Sequence, residues 1–428
     1  MDIVFSQPDG ASERDHFIPA RKIDVLDALI KHDTLAGERE LEKFRQFSRL
    51  LGAIYHYEYF DQLERLRNDY FYFNPEIDGQ ARFDAAGIEA AYRDLIETLT
   101  KVLHSANFIE VPHEEIERSH REHAVVRVNI KTSLDDYREV RFFRRGHRRE
   151  TLEISEWFGW RKRSVEIDVY DDVVLLVAMK NADGAANGKK KRSRKPKVRP
   201  GAMLLKYFRN IASGDLNALF PDVRVVMGLR DQLWIGVPAL IGGIPILLKL
   251  ASTLTVLILV AGFYLGLSGA VKDDDFAGAF AAIGGLVALG GFILTQWMKF
   301  QRQSLMHQKT LSDNIYYRNV NNNAGIFDYI IGAAEDQECK EAFLAYYFLL
   351  APGDGPTDQE LDRRIEDWLR LTFKTDVDFE CGDALEKLDR LGLLRRDGGR
   401  LTALPLDEAL IRLDRVWDDF FPIAGVAR

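Results

Sequence analysis

The spacing of apolar residues divides the chain into stretches of different period. Over the first hundred residues apolar positions recur every three or four places. Residues 24–30 predict a short helix, Leu41, Phe44, Leu51, Ile54/Tyr55 and 63–66 a longer one, and 85–103 a third. The period then falls to two. Val126, Val128 and Ile130 alternate with Arg127 and Asn129, Val140 and Phe142 flank Arg141, and Val165, Ile167 and Val169 alternate with Glu166 and Asp168, which predicts half-buried strands. Asp171-Asp172 reads as a turn into 173–179, apolar throughout and suited to a central strand or one covered on both faces.

Between 182 and 200 there is no apolar period, and this Gly-, Ala-, Lys- and Arg-rich stretch reads as a disordered polybasic linker. Order resumes at 203–208, and 215–220 suits a short helix. The next pattern is the longest: from 233 to 271 only Lys249 is charged, and after Lys272 and Asp273 to Asp275 a second apolar run covers 276–298. As helices, 250–271 and 276–298 would each reach about 33 Å, enough for a hydrocarbon core of about 30 Å. The four charged residues between them leave room for a tight reversal, so 250–298 predicts a two-helix transmembrane hairpin. Lys206, Arg209, Arg224 and Arg230 before it and Lys299, Arg302, Lys309 and Arg318 after it place both termini in the cytoplasm of a bacterial inner membrane. Gly262, Gly266 and Ala270, with Ala277, Ala281 and Gly285, suit close packing within the hairpin or between copies of it. Residues 233–249, with Pro238, Pro245 and Gly242-Gly243, predict a bent interfacial or re-entrant segment.

Beyond the hairpin a helix is expected over 299–319, broken around Asn321, Asn322, Asn323 and Gly325, with another running toward Leu350. Thr357 to Glu360 match a capping box that starts a helix with Leu361, Ile365 and Trp368/Leu369 on one face. A helix over 384–391, stopped by Gly392, a β-hairpin turning at Asp397-Gly398-Gly399 and a helix bearing Leu410, Leu413 and Trp417 complete a winged-helix-like pattern. The fold class expected is thus an α+β membrane protein. Its parts are an N-terminal helical region (1–105), an α+β region with a small antiparallel sheet (106–181), the polybasic linker (182–200) and a juxtamembrane strand and helix (201–232). The re-entrant segment (233–249), the hairpin (250–298), post-membrane helices (299–350) and the winged-helix-like domain (351–428) follow.

Composition changes this picture little. The chain is 46% hydrophobic and 29% charged, an average that hides the concentration of apolar residues in one stretch. The formal charge of −8 likewise hides eight basic side chains within 189–199, so the remainder is about twice as acidic as the net figure suggests. Cys339 and Cys381 lack zinc spacing and read as free thiols in a reducing compartment; no basic, apolar leader opens the sequence.

The run from Pro221 through Asp231, Pro238 and Pro245, the Asn321 to Gly325 break, Glu335 to Ala342 and the closing Leu413 to Phe421 together resemble the transmembrane protein 143-like family. The resemblance covers roughly 17–421. It implies a membrane protein of bacteria and mitochondria whose domain has no established activity, and it carries no catalytic residue across.

Candidate sites are few. Lys189, Lys190, Lys191, Arg192, Arg194, Lys195 and Lys197 suit anionic lipid headgroups, or a solvated loop; nucleic acid is disfavoured, since no aromatic residue lies among them for stacking. Arg138, Arg141, Arg144, Arg145, Arg148 and Arg149, followed by Trp157, Trp160 and Arg161 to Arg163, suit the solvent face of strands, a membrane interface or RNA. His113, Glu114, Glu117, His120 and His123 miss the spacing of metal motifs, so no metal is assigned. Asn321, Asn322, Asn323, Glu335 and Glu338 suit a polar pocket, or a helix break. No phosphate loop or nucleophile elbow occurs, and no cofactor is expected. The function expected is a membrane-anchored interaction protein or scaffold that receives an unidentified cytoplasmic partner protein, with homo-oligomers allowed. The rivals are a membrane-proximal enzyme acting on a lipid or lipid-linked substrate near Asn321 to Glu338, and an oligomeric channel or transporter.

Overall fold

The computed structural model describes residues 14–32, 35, 37–77, 85–112, 114–116, 129–131, 137–156, 161–181, 198–221, 224–226, 316–351, 353 and 355–420, with scattered positions between 258 and 302. In chain order its elements are α1 (Lys22–Ile30), α2 (Glu38–Tyr70), α3 (Ala85–Ser105), β1 (Ile109–Val111), β2 (Asn129–Lys131), β3 (Tyr137–Glu156), β4 (Arg161–Met179), β5 (Met203–Ala212), β6 (Arg224–Val226), β7 (Asn319–Asn322), α4 (Ile326–Leu349), α5 (Asp358–Phe373), α6 (Cys381–Arg390), β8 (Leu394–Asp397), β9 (Arg400–Ala403) and α7 (Leu406–Asp419). They fall into two units. One comprises 1–124, 134–216 and 318–428; the other comprises 125–133 and 217–317, in which β2 pairs antiparallel with β6.

The first unit is built around α4. Every residue from Gln337 to Leu349 is buried, so the C-terminal half of this helix has no solvent face and is packed by neighbours all round, while Asp328, Tyr329 and Gly332 in its first half are exposed. Its tyrosine hydroxyls reach backbone acceptors: Tyr346 donates to the Leu404 carbonyl at 2.7 Å and Tyr347 to that of His32 at 2.9 Å. Phe47 of α2 stacks on Tyr346, with ring centroids 4.0 Å apart. The core is continuous from Val25 and Leu29 of α1 through Phe44 and Leu51 of α2 and Leu95 and Leu99 of α3 to Leu361, Leu385 and Leu413 near the C-terminus. The order helix, helix, hairpin, helix expected for the C-terminal region is present in α5, α6, β8–β9 and α7. These elements share their core with α1–α4 rather than closing one of their own.

A five-stranded antiparallel sheet, in the order β1-β3-β4-β5-β7, flanks the helices. Along it Phe143, Val174, Leu176, Ala178, Met203, Leu205 and Tyr207 join the helical core, and on the opposite face Phe142, Val173, Leu175, Val177 and Phe208 are buried as well. The apolar run 173–179 is therefore a central strand covered on both faces. The turn expected at Asp171-Asp172 is absent: β4 runs unbroken, with Asp172 paired in register to Arg145 of β3 and Arg209 of β5. A buried aspartate is tolerated there because Arg145 donates to it from Nε and Nη2 at 3.1 and 2.6 Å, and Arg209 Nε adds a third bond at 3.2 Å.

The spanning hairpin expected at 250–298 is corrected by the structure. Among the described residues no helix is long and apolar enough to cross a membrane, which overturns the membrane fold class and the multi-pass inner-membrane location drawn from it. One physical reason is visible inside the first expected span. The helical residues 261–263 close on Gly266, which has φ +70° and donates its N–H to the Phe263 carbonyl at 3.0 Å. A left-handed glycine at that position ends a helix, however apolar the sequence beyond it. The re-entrant segment expected at 233–249 lies outside the described residues.

Candidate functional site

A cleft of about 810 Å3 in the first unit lies against α3, with Tyr92, Thr100 and His104 on one wall and Glu338, Glu380 and Asp383 at the α4 and α6 side. Helical spacing gathers the charges at and behind this side, where Glu338 and Asp383 line the cleft. Glu338 and Glu341 are three apart on α4, Asp383 and Lys387 four apart on α6, so each pair occupies one face and the two faces meet. Lys387 Nζ lies 2.6 Å from Glu341, 2.7 Å from Glu338 and 2.7 Å from Asp383. Asn107, in left-handed backbone geometry at φ +59°, donates from Nδ2 to Glu341 at 2.9 Å and to the His16 carbonyl at 3.0 Å.

The electrostatics are unequal. Burial opposes the charge on Lys387, yet the Glu341, Glu338 and Asp383 carboxylates outweigh it and hold the ammonium above its ordinary range. Burial pushes the Glu338 carboxyl up, and Lys387 only partly offsets this. Beside the cluster, Tyr55 of α2 is 1% exposed; its hydroxyl, raised by burial and by the neighbouring Glu338, has no hydrogen-bond partner among the described residues. Arg390 of α6 is turned to Glu58 of α2, donating from both terminal nitrogens at 2.6 and 3.0 Å. Across the cleft, Glu139 of β3 accepts from Tyr92 and from Arg141 Nε, and these bonds hold its carboxyl below the usual range against the effect of burial.

The expected polar pocket is not assembled. Asn321 donates from Nδ2 to the Gly325 carbonyl at 2.8 Å, Asn319 donates to Asn322 at 2.9 Å, and Asn323, at φ +52°, donates to Glu76 at 2.7 Å. They fasten the passage from β7 into α4. Glu335 and Glu338 lie well along α4, about 15 and 20 Å from Gly325 at 1.5 Å per residue. Glu335 faces His56, whose Nδ1 is 2.9 Å away, and Lys22 at 3.5 Å; of the five residues only Glu338 enters the cleft.

The lysines and arginines from Lys189 to Lys197 lie outside the described residues, but the ends of their segment are fixed. Met179 N donates to the Ala202 carbonyl at 2.8 Å and Gly201 N to that of Lys180 at 3.1 Å, so the segment connects adjacent strands β4 and β5. In the second basic region Arg138 pairs with Glu89, Arg141 with Glu139, Arg145 with Asp172, Arg148 with Asp171 and Arg149 with Asp168. Arg144 stands over the Tyr170 ring at 5.1 Å. Trp157 and Trp160 lie outside the described residues, as do His113, Glu117, His120 and His123. Among the described residues no group of three or more His, Cys, Asp or Glu is placed to hold a metal; both cysteines are free and buried.

Sequence reasoning missed Glu341, Asp383, Lys387, Asn107 and Tyr55. One signal was present: Lys387 falls between Ala384 and Leu391 on the stripe that α6 turns inward, where an unpaired lysine would not be expected.

The model of a family described as "Protein of unknown function (DUF3754)" matches residues 170–325. No solved structure matches the chain. The matched stretch begins in β4, includes β5 and β7, and ends at the residue before α4, so the cleft is built from residues outside it.

Proposed function

We propose that the chain is an interaction protein that recognises a cationic group, an ammonium or guanidinium, in the cleft between α3, α4 and α6. One observation carries this reading: three carboxylates, of which Glu338 and Asp383 line the cleft and Glu341 lies behind it, share a single lysine. Fully ionised, Glu338, Glu341 and Asp383 exceed Lys387 by two negative charges, and two opposite charges 4 Å apart attract by about 4 kcal/mol at the effective dielectric typical of protein surfaces. Burial pushes the Glu338 carboxyl up, so its ionised form is the one a second cation would favour most. The Tyr55 hydroxyl adds an uncommitted neutral acceptor beside the same carboxylates. A cationic ligand would add to Lys387 in favouring the ionised form of Glu338.

The test is calorimetric titration of the full chain with n-butylammonium and methylguanidinium, in two buffers of different ionisation enthalpy. Saturable binding is expected, with any accompanying proton release lost in Glu338→Gln and affinity reduced in Glu380→Gln, a change at the more exposed rim. No saturable binding, or binding that neither substitution alters, would sink the reading.

A further inference from the structure

A second cleft of about 560 Å3 also lies against α3, lined by Tyr57, Glu58, Asp61, Gln62 and Arg65 of α2, by Thr98 and by Phe420 just after α7. Glu97 and Lys101, one turn apart on α3, line both clefts, so the two share this ridge. The second cleft differs in chemistry from the first. Its wall is aromatic: the Tyr57 and Phe420 rings are 4.6 Å apart at 48°, and Trp417 packs edge-on behind them at 6.4 and 6.1 Å. Its margin is acidic, with Glu58 held in place by Arg390 and Asp61 in an exposed pair with Arg65 at 3.0 Å.

We infer that the two clefts form one recognition groove for an extended peptide segment carrying two basic side chains. This rests on the cation-binding reading of the first cleft. One basic side chain reaches Glu338 and Asp383, while the other lays its aliphatic stem along Tyr57 and Phe420 and its charge beside Asp61. The backbone between them crosses the ridge, where Glu97 can accept from a peptide N–H and Lys101 can donate to a carbonyl. Charge complementarity selects this occupant, since the carboxylates lining the two clefts outnumber the basic side chains. An aromatic wall at one end and buried carboxylates at the other suit two side chains of one strand.

The experiment compares acetyl-Lys-Leu-Lys-Leu-amide with n-butylammonium on the full chain at low salt, and repeats both on Asp61→Asn, Phe420→Ala and Glu338→Gln. Because one peptide engages two subsites, its affinity is expected to exceed that of the amine by about tenfold or more. Asp61→Asn and Phe420→Ala are expected to remove most of that advantage and leave n-butylammonium binding unchanged, whereas Glu338→Gln weakens both probes. An advantage that survives Asp61→Asn and Phe420→Ala, or no advantage at all, overturns the joined groove while leaving the single cation site intact. Failure of n-butylammonium to bind the unmodified chain overturns both readings.

Discussion

Lys387 is buried among three carboxylates, and its removal leaves negative charge without compensation in a site poorly reached by water. Lys387→Met is expected to lose about 3–5 kcal/mol of stability, the usual cost of breaking a buried ion pair from one side. Denaturant unfolding measures it, and Lys387→Met combined with Glu341→Gln should recover part of the loss. Glu338 gives a pH dependence of defined sign. Its folded carboxyl sits above the ordinary glutamate value of 4.5, so the native state holds this proton more firmly than the unfolded chain does. The stability it contributes is complete below the unfolded value and is lost as pH rises through the raised folded value. Unfolding free energy measured from acid to neutral pH should therefore carry a declining component that Glu338→Gln removes. If the two proteins keep a constant difference across that window, the carboxyl is not raised.

At the scale of elements, the ends of helices are where local sequence decides most. Thr357 caps α5: its hydroxyl accepts from Glu360 N at 3.3 Å while Glu360 Oε2 accepts from Thr357 N at 2.9 Å. Thr357→Ala should cost about 1 kcal/mol, read as a lowered unfolding midpoint at unchanged denaturant slope. Gly392 ends α6 at φ +69°, donating to the Asp389 carbonyl at 2.9 Å while Leu393 N reaches that of Leu388 at 2.8 Å. Gly392→Ala should cost about 1–2 kcal/mol by the same assay, because Cβ opposes the left-handed conformation. Both ends were legible in the sequence, as were the alternating strands and the apolar run of β4, since capping, helix stops and strand alternation act over a few neighbouring residues. What was illegible depends on distance along the chain. Asp172 resembles a turn residue until Arg145 is brought opposite it, and Lys340 resembles a surface lysine until the Ile18 and Ala20 carbonyls accept its ammonium at 2.7 and 3.0 Å. The candidate cleft was hidden for the same reason, with Lys387 separated from Glu341 by 46 residues. The hairpin was over-read because hydropathy counts apolar side chains and carries no information on where a glycine takes up positive φ.

For the first unit as a whole, the chain segments that meet are those furthest apart in sequence. The backbone carbonyls of Ile18 and Ala20 are held by α4, His16 Nδ1 lies 2.9 Å from the Asp378 carbonyl, Lys43 of α2 reaches Asp407 of α7 at 2.7 Å, and Tyr57 packs on Trp417 and Phe420. Leu361, Leu385, Leu406 and Leu413 are each at most 3% exposed within this shared core. Each fully buried leucine contributes roughly 1.5–3 kcal/mol only while its neighbours are present, and many of those neighbours belong to α1, α2 and α4. Residues 351–428 expressed alone should therefore show little cooperative unfolding, despite carrying the full helix, helix, hairpin, helix order. In the intact chain, the most protected amides of α2, α4 and α7 should exchange with one common opening free energy, because α2 packs against both α4 and α7 within one core. A fragment 351–428 with a sharp thermal transition, or α7 amides that exchange far faster than those of α4, would mean that the C-terminal elements fold by themselves. The groove beside α3 would then join two independently folded parts, and Phe420→Ala would be expected to alter peptide binding without altering the stability of α2.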